Sequence, residues 1–219
     1  MTKRLAIYGA GGFGRETAAM VEQINLQNHE WELIGFFDDG FEIDTEVDGL
    51  KIVGNVNDLN SYPDNLAICI AVADPTVRHS LVKRITNVKI SFPVLVHPQA
   101  NLGDRRRNKF GKGSIVTAGV ILTTGIEIGE FGIINLSTTI GHDVKLGSCC
   151  TVMPGCSISG NVSMGSCCVV GTGSRIIQSI TIGDNCMVGA GSVVTKSFGS
   201  NLKILGVPAR KRVSHVERV

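Results

Sequence analysis

The sequence predicts two architectures in series, an α/β unit over residues 1–96 and a parallel β-solenoid over residues 97–219. Three observations carry this. A short apolar strand runs into the turn Gly9-Ala-Gly11-Gly12-Phe13-Gly14 and then into a helical pattern. Large aliphatic residues recur at every sixth position from Val116 to Val194. Glycine is abundant, 27 of 219 residues, while aromatics are only 5%, a composition that suits tight turns and thin side-chain layers.

In chain order, Arg4 to Tyr8 reads as a strand and Arg15 to Asn28 as an amphipathic helix through Ala18, Ala19, Val21 and Ile24. A glycine turn between them matches G-x-G-x-x-G, which brings backbone N–H groups to a phosphate at a helix N-terminus. Gly9, Gly11 and Gly12 are the candidate phosphate-turn residues. The next strand, Glu32 to Phe37, ends in Asp38-Asp39, where a carboxylate can meet a ribose or a base. A tight strand-to-helix turn with no ligand would use the same glycines, so the acids and the surrounding strands give the motif its meaning. Leu66 to Ala73 is a further strand, Pro75 to Ile85 a helix with proline in its first turn, and Phe92 to Val96 another strand. A unit of under about 100 residues is too short for a two-lobed dinucleotide domain, so a Rossmann-like half-domain binding one nucleotide is expected. Arg105-Arg106-Arg107, Lys109 and Lys112 then form a basic loop, read as a solvated insertion or a phosphate contact.

The sixth-residue series is Val116, Leu122, Ile128, Ile134, Ile140, Leu146, Val152, Ile158, Met164, Val170, Ile176, Ile182, Val188 and Val194. A helix would repeat its apolar stripe at about 3.6 residues, so a short-strand repeat is indicated instead. Seven of these residues are followed directly by glycine, at 129, 141, 147, 165, 171, 183 and 189, which would give the chain freedom to bend. Two residues before each aliphatic lies a column of mostly small residues holding Cys150, Cys156, Cys168 and Cys186. These cysteines are expected as small buried hydrophobes and not as metal ligands or nucleophiles. Cys149 and Cys167 should point outward by strand alternation, as modifiable thiols. The uncharged run from 146 to 174 is rich in Gly and Ser and contains Pro154, which argues against a membrane span.

Lys and Arg total 21 against 19 Asp and Glu, with charged residues 18% of the chain, so no large field is available for nucleic acid or a membrane surface. Seven cysteines without an apolar leader in Met1 to Ala10 point to a reducing cytoplasm. No metal site is expected.

A short strand and a bend every six residues resembles the hexapeptide-repeat left-handed parallel β-helix, in which three hexads complete one coil of 18 residues. The GAGGFG turn, the later FFDD strand and the repeats containing Gly141-His142-Asp143 together resemble the bacterial sugar acyltransferases related to sialic acid O-acetyltransferase, a family that includes nucleotide-linked amino-sugar N-acetyltransferases. The resemblance spans residues 4 to about 212. It implies acetyl-CoA as donor, a homotrimer packed side to side, and His142 as general base with Asp143 beside it. Gly160, one coil above His142, matches the family glycine whose N–H meets the acetyl carbonyl. Asn135 matches an asparagine near the acceptor sugar, and Asp38 and Asp39 match the acidic pair near the nucleotide base and ribose. Gly171, Thr172 and Gly173 match the path of the pantetheine arm, and Arg210, in Gly206-Val-Pro208-Ala-Arg210, a phosphate contact. Two positions depart from the pattern: Phe13 and Thr151 stand where relatives have histidines, Thr151 at a position near the thioester.

His142 is the one histidine within the uninterrupted repeat, and a neutral imidazole suits proton removal at physiological pH. The leading expectation is N-acetylation of a nucleotide-diphosphate 4-amino-deoxysugar by direct attack on the thioester. The alternatives are a sugar O-acetyltransferase and a non-catalytic trimeric nucleotide-binding scaffold.

Overall fold

The computed structural model describes residues 2–212; the end of the predicted C-terminal tail, 213–219, lies outside the described residues. The first part is a six-stranded sheet in the order β3-β4-β2-β1-β5-β6. Its strands are β1 (Lys3–Tyr8), β2 (Trp31–Phe37), β3 (Glu46–Val47), β4 (Leu50–Gly54), β5 (Leu66–Ile70) and β6 (Ile90–Ser91). All pairings are parallel except β3 with β4. The connecting helices are α1 (Gly12–Asn28), α2 (Val56–Asn60) and α3 (Pro75–Arg84). Helix α2, which the hydrophobic pattern does not announce, starts from Asn55 with a reciprocal capping box to Asp58, an arrangement that satisfies two otherwise free backbone donors.

Two predicted strands are shorter than their apolar runs. β5 stops at Ile70, and Ala71 to Asp74 become the connection into α3. Of the Phe92 to Val96 run only the end is a strand, since Pro93 cannot donate to a ladder: β7 (Leu95–Val96) joins the solenoid, pairing with Ile115–Val116, and β6 lies wholly before the run.

From there the chain forms a three-faced prism. Face I carries β7 and the strand pairs at 115, 133, 151, 169 and 187. Face II carries those at 121, 139, 157, 175 and 193, and face III those at 109, 127, 145, 163 and 181. The register is 18 residues throughout, as in Ile134 with Val152 and Val152 with Val170. All fourteen residues of the aliphatic series are buried, and so are the four cysteines of the small-residue column. At about 25 cal/mol per Å² of apolar surface removed from water, these stacked columns are the main stabilising term of the prism.

The glycines that follow the aliphatic residues do not serve the bend. The left-handed backbone lies two residues further on, at Phe131, Asp143, Cys149, Cys167, Gly173, Asn185 and Gly191, five of the seven not glycine. What excludes a side chain at Gly129 and Gly147 is the next coil: a Cβ there would stand 2.6 Å from the carbonyl carbon of Gly147 or Gly165.

Cys149 corrects a second expectation. Its side chain leaves the prism interior, but at a turn and not on a strand, and it is 2% exposed because the α/β unit covers that corner. Burial pushes its thiol up, with Arg78 opposing. Cys167 is half-buried, with its sulfur 3.8 Å from His79 Nδ1. Thr151 is also 1% exposed. It donates to Ala73 O at 2.7 Å and accepts from Arg78 at 2.9 Å, so it belongs to the junction between the two parts.

Candidate active site

The α/β unit presents a cleft of about 490 Å³ at the carboxyl ends of β1 and β2, bordered by Tyr8, Gly9, Asp38, Asp39 and, from α3, Thr76, Val77, Ser80, Leu81 and Arg84. The glycine turn lies beside it. Gly9 has φ +106°, and a Cβ on Gly14 would strike Gly9 O, so these two glycines are demanded by the backbone path and by helix-on-strand packing. Gly11 and Gly12 differ. Apart from their chain neighbours and the helix's own backbone, no atom of the described residues lies within 4 Å of where their Cβ atoms would stand, and α1 has no side-chain cap on its first turn. Open space over uncapped N–H groups at a helix start fits a phosphate.

Both acids are engaged within the protein. Asp38 accepts from the N–H groups of Ala10 and Gly40, each at 2.8 Å, and so clamps the glycine turn. Asp39 accepts from the Tyr8 hydroxyl, from Val56 N–H at 3.1 Å and from Arg84 at 2.8 Å. Burial alone would raise Asp39, but these hydrogen bonds outweigh it and hold the carboxyl below its usual value. Burial, with the bond to Asp39, pushes the Tyr8 hydroxyl upward. Tyr8 and Arg84 therefore complete the acidic end of the cleft. Sequence gave no signal for Arg84, whose partner is 45 positions away. Phe13 turns back to pack against the core of the α/β unit.

His142, Asp143 and Gly160 meet on the edge between faces II and III. Successive coils are linked there by Asp143 N–H to Thr124 O, Asn161 N–H to His142 O and Ser179 N–H to Gly160 O, at 2.8 to 3.0 Å. Thr124, His142 and Gly160 are thereby stacked. His142 Nδ1 lies 3.0 Å from Asp143 Oδ2. A carboxylate has no proton to donate in this pair, so Nδ1 carries the hydrogen and the lone pair of neutral His142 is on Nε2. The ring lies over Gly160: a Cβ on that residue would be 2.5 Å from Nε2 and 2.6 Å from Cε1. Gly160 N–H has no acceptor among the described hydrogen bonds. The imidazole is about half exposed.

The remaining candidates occupy the edge between faces I and II. Asn135 is 8% exposed, and its Oδ1 accepts from the Leu136 N–H at 2.8 Å. Gly171, Thr172 and Gly173 lie two coils above on that edge. The hairpin of Lys203–Gly206 and Ala209–Lys211, which carries Arg210, folds onto its top through Gly206 N–H to Ser192 Oγ at 3.1 Å. Gly171 is explained by packing, since a Cβ there would stand 2.6 Å from Ala190 N; Gly173 has φ +70° with open space beside it. Face II separates this set from His142 within the protomer. In the basic loop Arg106 lies 3.4 Å from Asp104, while Lys109 and Lys112 lie 3.7 and 3.6 Å from Glu127 and Glu130. Among the described residues no group of His, Cys, Asp and Glu is placed to hold a metal ion, and no helix is long and apolar enough to cross a membrane.

A nucleotide-type cleft joined to a histidine-bearing hexapeptide prism defines a class, and the comparisons agree with it: the chain belongs to the hexapeptide-repeat sugar acyltransferases. Residues 4–85 match the PglD N-terminal domain and residues 161–196 the bacterial transferase hexapeptide repeats. Among solved structures, the chain is similar to the acetyltransferase domain of PglB from Neisseria gonorrhoeae in complex with acetyl coenzyme A, at 28% identity and TM-score 0.88 over 97% of this chain and 100% of that one. WeeI from Acinetobacter baumannii is 30% identical, with TM-score 0.86 over 96% and 100%. A histidine-to-asparagine variant of perosamine N-acetyltransferase from Caulobacter crescentus, in complex with CoA and GDP-perosamine, is 27% identical with TM-score 0.85 over 97% and 98%. A GDP-perosamine N-acetyltransferase of Escherichia coli O157:H7 is 27% identical over 149 residues, which are 68% of this chain and 66% of that protein.

Proposed function

We propose that the protein is an acetyl-CoA-dependent N-acetyltransferase acting on a nucleotide-diphosphate 4-amino-deoxysugar. The observation that carries this reading is the imidazole of His142, oriented by Asp143 with Nε2 free above Gly160, on a chain whose other half has an uncapped, open glycine turn. The amine nitrogen attacks the thioester carbonyl carbon, Nε2 takes the proton that the nitrogen sheds, and the carbon–sulfur bond breaks to release the CoA thiolate, which is reprotonated. Gly160 N–H supports the negative charge on the carbonyl oxygen. Gly9, Gly11 and Gly12 line the diphosphate path, with Asp38 and Asp39 at the nucleoside end. Acetyl-CoA follows the Gly171 to Gly173 edge toward Arg210. Relatives bound to CoA together with GDP-perosamine support both ligand assignments.

In this reading three copies pack through face II, so that the His142 edge of one meets the Asn135 and Gly171 edge of the next. Supporting it, the outward residues of face II are Ile121, Thr139, Ser157, Arg175 and Val193, with no acid among them, whereas face III shows Lys109, Glu127 and Lys145. Exposed Leu136 and Ile177 flank face II. A cytoplasmic setting, where acetyl-CoA and nucleotide sugars are available, completes the reading.

The test is isothermal titration with acetyl-CoA and with GDP, UDP and dTDP, followed by turnover on the matching 4-amino sugar. His142→Ala is expected to lower turnover by about 10²-fold or more with acetyl-CoA binding retained. Unchanged turnover would reject His142 as base, and acetylation of a sialic acid hydroxyl without any of an amino sugar would reject the acceptor.

A further inference from the structure

We propose that Arg78 is a positioning residue that fixes the span between the nucleotide cleft and the acetyl-transfer edge; the proposal rests on the functional reading above. Helix α3 has two working sides. Thr76, Val77, Ser80 and Arg84 border the cleft, while Arg78 runs into the junction with the prism and is 0% exposed. No carboxylate meets its guanidinium among the described residues. Nε donates to Phe131 O at 2.9 Å, and Nη2 to Cys149 O at 2.7 Å and Thr151 Oγ1 at 2.9 Å. Nη1 donates to Val72 O and to Ala73 O, on the connection from β5.

One planar fork therefore joins the connection after β5, helix α3 and two successive coils, since Phe131 and Cys149 are 18 residues apart. The carbonyls of Phe131 and Cys149 belong to left-handed turn residues at a corner that the α/β unit takes out of water, where an unpaired acceptor is costly. The apolar part of the junction, with Leu95, Ile115 and Ile133 in one cluster and Phe131 and Cys149 in another, holds the halves together without direction. The guanidinium supplies direction, because its donors have a rigid geometry that lysine cannot reproduce. The acceptor is held at its nucleotide end by the α/β unit and reacts at its sugar end on the prism, so a tilt at this junction displaces the amine from Nε2 and the thioester.

Arg78→Lys keeps the charge and loses the fork; Arg78→Met keeps most of the stem. With the nucleotide-linked amino sugar, kcat/KM is expected to fall by about 10²-fold, the cost of displacing a reacting group by about 1 Å. GDP binding, acetyl-CoA binding and turnover of the free amino sugar, which has no nucleotide to tether it, are expected to stay at wild-type values. Equal loss on tethered and free acceptors, or no loss on either, would overturn the proposal. Wild-type protein that fails to acetylate nucleotide amino sugars defeats the functional reading instead. Amide hydrogen exchange then decides on Arg78: the Lys variant must loosen Val72 to Thr76 and Phe131 while leaving Leu5 to Tyr8 and Val170 protected, and an unaltered junction overturns it. Arg78→Lys alone suffices if the Met variant does not fold.

Discussion

Gly160→Ala adds one methyl group directly against the proposed base. The new Cβ would stand 2.5 Å from His142 Nε2, 2.6 Å from Cε1 and 2.9 Å from Cδ2, whereas carbon atoms in contact sit at about 3.5 to 4.0 Å. The ring must retreat by about 1 Å. The backbone has no reason to object, because Gly160 is not among the left-handed positions. A 1 Å displacement of a reacting group costs about 10²-fold in rate, or about 2.7 kcal/mol of barrier. Free CoA thiol released per second, measured under saturating acetyl-CoA, gives kcat. Gly199→Ala is the control, since nothing lies within 4 Å of its Cβ position. The loss should disappear in a His142→Ala background, because two changes acting through one side chain do not add. Full activity in the single variant, or an undiminished further loss in the double variant, would refute the placement of the imidazole over Gly160.

Two further outcomes concern stability. Gly147→Ala puts a Cβ 2.6 Å from Gly165 C and Ser166 N, so thermal melting should show a destabilisation of about 1–3 kcal/mol, the usual cost of overpacking, and an unshifted midpoint would contradict the close coil approach. Asp39, held below its ordinary value in the folded protein, contributes stability that is present above the unfolded carboxyl value of about 3.9 and is lost as pH falls through its lower folded value. Denaturant midpoints of the wild type should therefore drop across that acid window, with a smaller drop in Asp39→Asn; identical profiles would show that the network around Asp39 does not feel the charge.

The prism was legible because its information is periodic. A six-residue step puts Val152 and Val170 in one column whatever surrounds them, and the 18-residue step places Gly160 over His142. The α/β unit was legible through its glycine turn and its apolar strands. The roles of individual side chains within it were not. Asp38 reads from sequence as a ligand-facing acid, yet its carboxylate holds the N–H groups of Ala10 and Gly40, because a tight turn supplies unpaired donors close by. Arg78 lies in the predicted helix Pro75 to Ile85 with nothing in the sequence to mark it. Its partners are mainly main-chain carbonyls from three segments, and carbonyls leave no signature in a sequence. The exposure of Cys149 was misjudged for the same cause: strand alternation tells which residues leave the prism, not which of them a second layer then covers.

The strict coil register has a consequence for how such a chain can change length. Loss or gain of 18 residues returns every side chain to its own edge and moves everything above it by one rung of about 4.8 Å. A change of six residues turns the upper prism by one face, and a change of one residue inverts inside and outside. The height of the histidine above the junction is thus adjustable only in whole rungs. A longer acceptor can be met by adding a coil, whereas a difference smaller than a rung has to be absorbed by repacking of the junction between the two halves or by side chains at the edges.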